Sequence, residues 1–156
     1  MRPSTSSIRF GLLPLIARVL VTLEFMVAVN GKIFDWSGQA AYMKFKGMSF
    51  VTPLLAGALA IEAIGSILLL LGFRARAAAA VLFVYLGIVS VRLHAFWNGT
   101  GMAAASNQTE FFKNLGMMGG LLMIAVYGAG VWSIDARLSG TASAPQATDW
   151  APTARS

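Results

Sequence analysis

Cysteine is absent from this 156-residue chain. Its absence excludes disulfides, thiolate metal sites, iron–sulfur ligation, haem attachment through CxxCH and a dithiol redox couple. Histidine occurs once, as His94, so a bis-histidine haem within one chain is excluded as well. Charge is scarce: 12% of residues are Asp, Glu, Lys or Arg, against about 25% in soluble domains. Acidic residues are the scarcer half, six against twelve basic ones, for a net charge of +6. The basic residues lie scattered between apolar blocks rather than gathered on one face. That argues against nucleic acid and for the cationic excess that membrane proteins keep beside the inner leaflet.

What the chain has in quantity is apolar surface, 57% of its residues. Four blocks carry it: Phe10 to Ile33, Pro53 to Phe73, Ala77 to Trp97 and Phe111 to Trp132. Each is roughly 20 residues long, enough to cross about 30 Å of hydrocarbon as a helix. Barrel strands would alternate over about ten residues, and these blocks do not. The expected fold is all-α, an integral membrane four-helix bundle over residues 1–138, with a disordered cytoplasmic tail over 139–156 rich in Ala, Ser, Thr and Pro. Arg18 and Glu24 interrupt the first block, which disfavours a cleaved signal peptide. The second and third blocks meet at Arg74-Ala75-Arg76, so they form a tight hairpin. The connection from Phe34 to Thr52 mixes aromatic residues with Lys44 and Lys46. It reads either as an amphipathic interfacial segment or as an ordered loop. Arg2, Arg9, Arg74, Arg76, Arg137 and Arg155 share one side, which places both termini in the cytoplasm of a plasma (inner) membrane.

Ionisable residues inside spans are costly and face a bundle interior or a cavity. Here they are Arg18, Glu24, Glu62, Arg92 and His94, with Lys32 and Lys113 at span ends. The helical rise puts Glu24 about 12 Å and Arg18 about 21 Å deeper than Lys32. On that scale Glu62 pairs with Arg18, and Arg92 pairs with Glu24. Such pairs either line a polar chamber or only fix helix register, and Lys32 and Lys113 either join the chamber or snorkel to the interface. Arg92 and His94 are two apart, about 200° round a regular helix, so they face different surroundings, His94 going with Trp97. On the fourth block Lys113, Gly116 and Gly120 share a face. No metal site is expected, because carboxylates at the level of His94 are few.

The order of these motifs resembles the DoxX family of small four-helix membrane proteins. Ala17-Arg18, Gly31-Lys32 and Asp35 open it; Ala56-Gly57-Ala58, Glu62, Gly65 and Leu71-Gly72-Phe73-Arg74-Ala75-Arg76 continue it. His94-Ala95-Phe96-Trp97, Phe112-Lys113-Asn114-Leu115 and Gly119-Gly120 complete it, while Glu24 and Asn30 stand where that pattern is apolar or small. The resemblance implies a subunit of a membrane redox complex, either non-catalytic or in contact with a quinone, with no catalytic motif of its own. Quinone carbonyls would take donors from His94, Trp97, Lys113, Asn114 or Lys32. No covalent cofactor is expected; a quinone is the cofactor class implied. The other readings are a structural accessory subunit packed against a larger membrane complex, and a small-molecule carrier. Lipid, further membrane subunits and copies of the chain itself are the expected partners.

Overall fold

The computed structural model describes residues 5–140, with side chains from residue 12. Most of the expected disordered tail, and Arg2 and Arg155 of the orientation argument, lie outside the described residues. Among the described residues the chain is helical, with no strand. Four long helices dominate: α1 (Thr5–Phe34), α3 (Val51–Leu71), α4 (Ala75–Leu93) and α5 (Gly101–Tyr127). Two short ones, α2 (Trp36–Phe45) and α6 (Ile134–Leu138), fill the first connection and the end of the described chain.

The boundaries depart from the expected blocks in three places. The connection after α1 folds as a helix, α2, because Asp35 caps it by accepting a 3.1 Å hydrogen bond from the Gly38 N–H. Next, α4 stops at Leu93 instead of running to Trp97, and a turn of 3-10 helix follows at Phe96–Asn98. Last, α5 begins about three turns before Phe111 and ends at Tyr127, where Gly128 caps it by donating to the Ile124 carbonyl at 2.8 Å.

The long helices pack α1 on α3, α3 on α4, α4 on α5 and α5 back on α1. Their shared core holds Phe25, Leu69, Ala78, Ala79, Leu82, Leu86, Leu121 and Ile124. Small residues let α3 and α4 approach closely: a Cβ on Gly65 would lie 2.8 Å from Leu82. Outward faces are apolar too, with Leu13, Leu20, Val27, Ile64, Val84 and Ile88 all more than half exposed. That surface suits lipid rather than water. Among the described residues, three helical segments are long and apolar enough to cross a membrane, Leu12–Phe34, Val51–Leu71 and Ala75–Asn98. The fourth long helix, α5, falls short because Lys113, Asn114 and three glycines dilute its apolar half and Ser106 to Glu110 make its first half polar.

The expected α3–α4 hairpin is present. The α3 helix closes with hydrogen bonds from Gly72 N to Leu69 O (3.0 Å) and from Phe73 N to Leu68 O (2.9 Å), a Schellman cap with Gly72 left-handed. Arg18 is 1% exposed. Its guanidinium donates to Leu69 O at 3.2 Å, Leu70 O at 3.4 Å and Trp132 O at 2.5 Å, so it neutralises the carbonyl end of α3. Asp135 of α6 accepts from the Arg74 and Ala75 N–H groups at 2.8 and 2.9 Å, which satisfies orphan donors at the start of α4. One cation and one carboxylate thus cap the two helix ends at the hairpin.

Candidate functional site

The opposite end of the bundle is open. The hairpin arms α3 and α4 are joined at Gly72–Arg74, and away from that joint they border a chamber of about 580 Å³. That volume falls within the range of about 300–1,000 Å³ typical of small-molecule sites. Phe25 and Ala28 of α1 form the back, Gln39, Tyr42 and Met43 of α2 close the end, and Met117 of α5 completes the side. Tyr42 helps hold α2 in place: its hydroxyl lies 3.2 Å from Leu93 O, a carbonyl freed by the early end of α4.

Charged groups enter this apolar chamber from four helices, α1, α3, α4 and α5. Glu62, 4% exposed, points in from α3. Lys32 at the end of α1 donates to its Oε1 at 2.9 Å, and the Tyr85 hydroxyl of α4 donates to the same oxygen at 2.6 Å. The other oxygen lies 2.8 Å from the same ammonium without an aligned hydrogen bond, so that contact is ionic only. Nearer the surface, Lys113 of α5 bridges two carboxylates, Glu24 of α1 at 2.6 Å and Glu110 one turn back at 2.7 Å. These side chains are about 40% exposed, where an ion pair contributes little stability.

The ion pairs differ from those the depth estimate gave. Glu62 is partnered by Lys32, and Arg18 by backbone carbonyls. Arg18 lies opposite Leu69 and Leu70, about two turns nearer the hairpin than Glu62. The long Lys32 stem reaches back from the end of α1 instead. Glu24 takes Lys113, and Arg92 has no hydrogen-bond or ion-pair partner among the described residues. Depth along a single helix says nothing of which neighbour lies beside it, and α5 stands beside α1.

The phase argument for Arg92 and His94 also changes. Both line the chamber, because α4 ends at Leu93 and His94 is its non-helical cap (φ −113°, ψ 35°). Trp97 is carried away from the chamber into an aromatic cluster with Phe96 and Phe111, at ring distances of 5.1 and 5.7 Å. Asn114 borders the chamber, but its amide donates to Ser90 Oγ at 3.1 Å and joins α5 to α4. Of the expected ligand contacts, Lys32, His94, Lys113 and Asn114 are therefore brought together, and Trp97 is not. Sequence reasoning missed Tyr85 and Glu110. Glu110 was legible from its i,i+3 spacing to Lys113; Tyr85 gave no signal, since its partner lies on another helix.

Comparison with known proteins gives one family and two related inner membrane proteins. Residues 43–138 match the profile of the SURF4 family. The chain is 34% identical over 125 residues to the inner membrane protein YphA of Escherichia coli strain K12, covering 79% of this chain and 88% of that one. It is 32% identical over 126 residues to the inner membrane protein YqjF of the same organism, covering 80% and 91%. No solved structure matches. These matches overturn the DoxX resemblance, to which none of them points. Its motifs were small-residue pairs and single charges at helical spacing, which close helix packing demands in any small helical membrane protein.

Proposed function

The chain belongs to the SURF4 family, and from that premise we propose that it is a multi-pass inner membrane protein that binds an amphipathic small molecule drawn from the lipid phase. Two kinds of support meet here: relatives that are themselves inner membrane proteins, and a chamber with polar groups at its base and apolar walls. On this reading α5 crosses as a fourth span and both termini are cytoplasmic.

The carrying observation is the side opening of the chamber. Leu54 and Ile61 of α3 and Ile88 of α4 line it and are 45%, 36% and 60% exposed, so its wall is continuous with the lipid-facing surface. Between Leu54 and Ile61, Gly57 has no atom within 4 Å of where a Cβ would stand. A tail can enter there without unfolding a helix, and its head would meet Lys32, Glu62, Arg92 and Lys113. A quinone belongs among the ligands to assay, because its ring carbonyls would find donors in Lys32, His94 and Lys113. The redox association rested on the DoxX resemblance and is not carried forward.

The test is purification in mild detergent, solvent extraction and mass spectrometry of what is released. The wild-type protein should carry a stoichiometric amphiphile that Gly57→Leu lacks. Equal, substoichiometric lipid in both proteins would contradict the reading. Contact with a partner protein is a second reading, favoured by the outward face of α5. There Gly116 and Gly119 leave open space beside Leu115 and Met123. A pull-down in mild detergent that recovers a defined membrane complex would support it, and recovery of the chain alone would count against it.

A further inference from the structure

We infer that the head of the bound amphiphile is zwitterionic, carrying one anionic and one cationic group on an apolar tail; this rests on the ligand-binding reading above. The charges in the chamber do not all satisfy one another. Three cations and three carboxylates line it: Lys32, Arg92 and Lys113 against Glu24, Glu62 and Glu110. Lys32 and Glu62 neutralise each other in the buried pair, which Tyr85 completes. Lys113 is shared by Glu24 and Glu110, so one negative charge is left over at the α1–α5 side. Arg92 has no partner among the described residues, so one positive charge is left over on α4.

The two uncompensated charges are opposite in sign and sit on different walls of one chamber. They have not collapsed on each other, although an arginine and a glutamate within reach would form a bidentate pair. Arg92 is exposed near the end of α4 and the Lys113 cluster is about 40% exposed, so both charges stay accessible at the chamber mouth, and a mouth that keeps one of each sign fits a ligand that supplies one of each. A phosphate or carboxylate on the ligand would take the Arg92 fork, and an ammonium would take the carboxylates that Lys113 shares. A purely anionic head would leave the Glu24–Glu110 side uncompensated. A neutral ring would leave both sides so. The tail would lie along Leu54, Gly57 and Ile88 toward the lipid.

Native mass spectrometry of the full chain in detergent tests this. The protein is offered equal amounts of a phosphoethanolamine-headed lipid, a phosphoglycerol-headed lipid with the same acyl chains, and an isoprenoid quinone. Wild type should retain the phosphoethanolamine lipid about tenfold over either competitor, the ratio expected for one charge-assisted contact. Arg92→Gln should lower its retention by about tenfold. Glu110→Gln removes the spare carboxylate and should bring the phosphoglycerol lipid level with the zwitterionic one. Equal or better retention of the phosphoglycerol lipid or the quinone by wild type overturns the inference, as does a ratio that neither variant moves. Gly57→Leu separates this failure from failure of the binding reading. If it abolishes retention of every ligand while heads are not discriminated, only the head assignment falls. If it abolishes none, the binding reading falls with it.

Discussion

The two ends of this bundle use charge in opposite ways. At the hairpin end Arg18 is buried and its two terminal nitrogens donate to the carbonyls of Leu69, Leu70 and Trp132, while Asp135 caps the start of α4. Arg18 and Asp135 there each answer a helix terminus, and Gly72 beside them leaves no room for a Cβ. At the open end the charges answer one another around a chamber, and Arg92 has no partner among the described residues. A buried ionisable group in a membrane protein is commonly read as a functional site. Arg18 warns against that reading, because the most deeply buried cation among the described residues is a helix cap. The groups that suit a ligand are the less buried ones, and what marks them is incomplete compensation.

Substitutions can sharpen that contrast. The largest effect is expected from Gly72→Ala. Gly72 sits at φ 64°, and a Cβ there would collide with the Arg18 guanidinium and crowd Ser133. Backbone strain and the displaced Arg18 hydrogen bonds together should cost about 5 kcal/mol or more, read as loss of a monodisperse peak in detergent. Second is Lys32→Met, which leaves Glu62 buried with one hydrogen bond and should cost about 3–5 kcal/mol. Adding Glu62→Gln should recover most of the loss in thermal melts. If the double variant is worse than either single one, the pair is not a compensated unit. The smallest effect is expected from Glu24→Gln at the chamber mouth. That pair is about 40% exposed, and its loss should change stability by about 0–1 kcal/mol. A large loss of melting temperature there would place the mouth with the hairpin end, as architecture.

The hairpin, the all-helical class and three of the spans were legible in the apolar blocks, because length and hydropathy follow directly from the bilayer thickness. The pairing of charges was not. Rise along one helix ranked Arg18, Glu24 and Glu62 by depth, but partner choice depends on which helix is adjacent and how far a lysine stem can reach. The placement of His94 and Trp97 was hidden for a local reason: nothing in the run Val89-Ser90-Val91-Arg92-Leu93 announces that α4 ends there. Its end is held from outside, by the Tyr42 hydroxyl on the Leu93 carbonyl. The family came from neither source of physics, since the helical motifs that suggested another family are shared requirements of packing.

The claim that the open end is built to receive a ligand, while the hairpin end is built to hold the fold, is tested most directly by one pair of melting curves. Wild type and Gly57→Leu are each delipidated in detergent and melted with and without added phosphoethanolamine-headed lipid. The account predicts a lipid-free melting temperature at least as high in the variant, since a Cβ at 57 meets no atom within 4 Å and leucine favours the helix over glycine, and stabilisation by lipid in the wild type alone. Equal stabilisation of both proteins by lipid would contradict it.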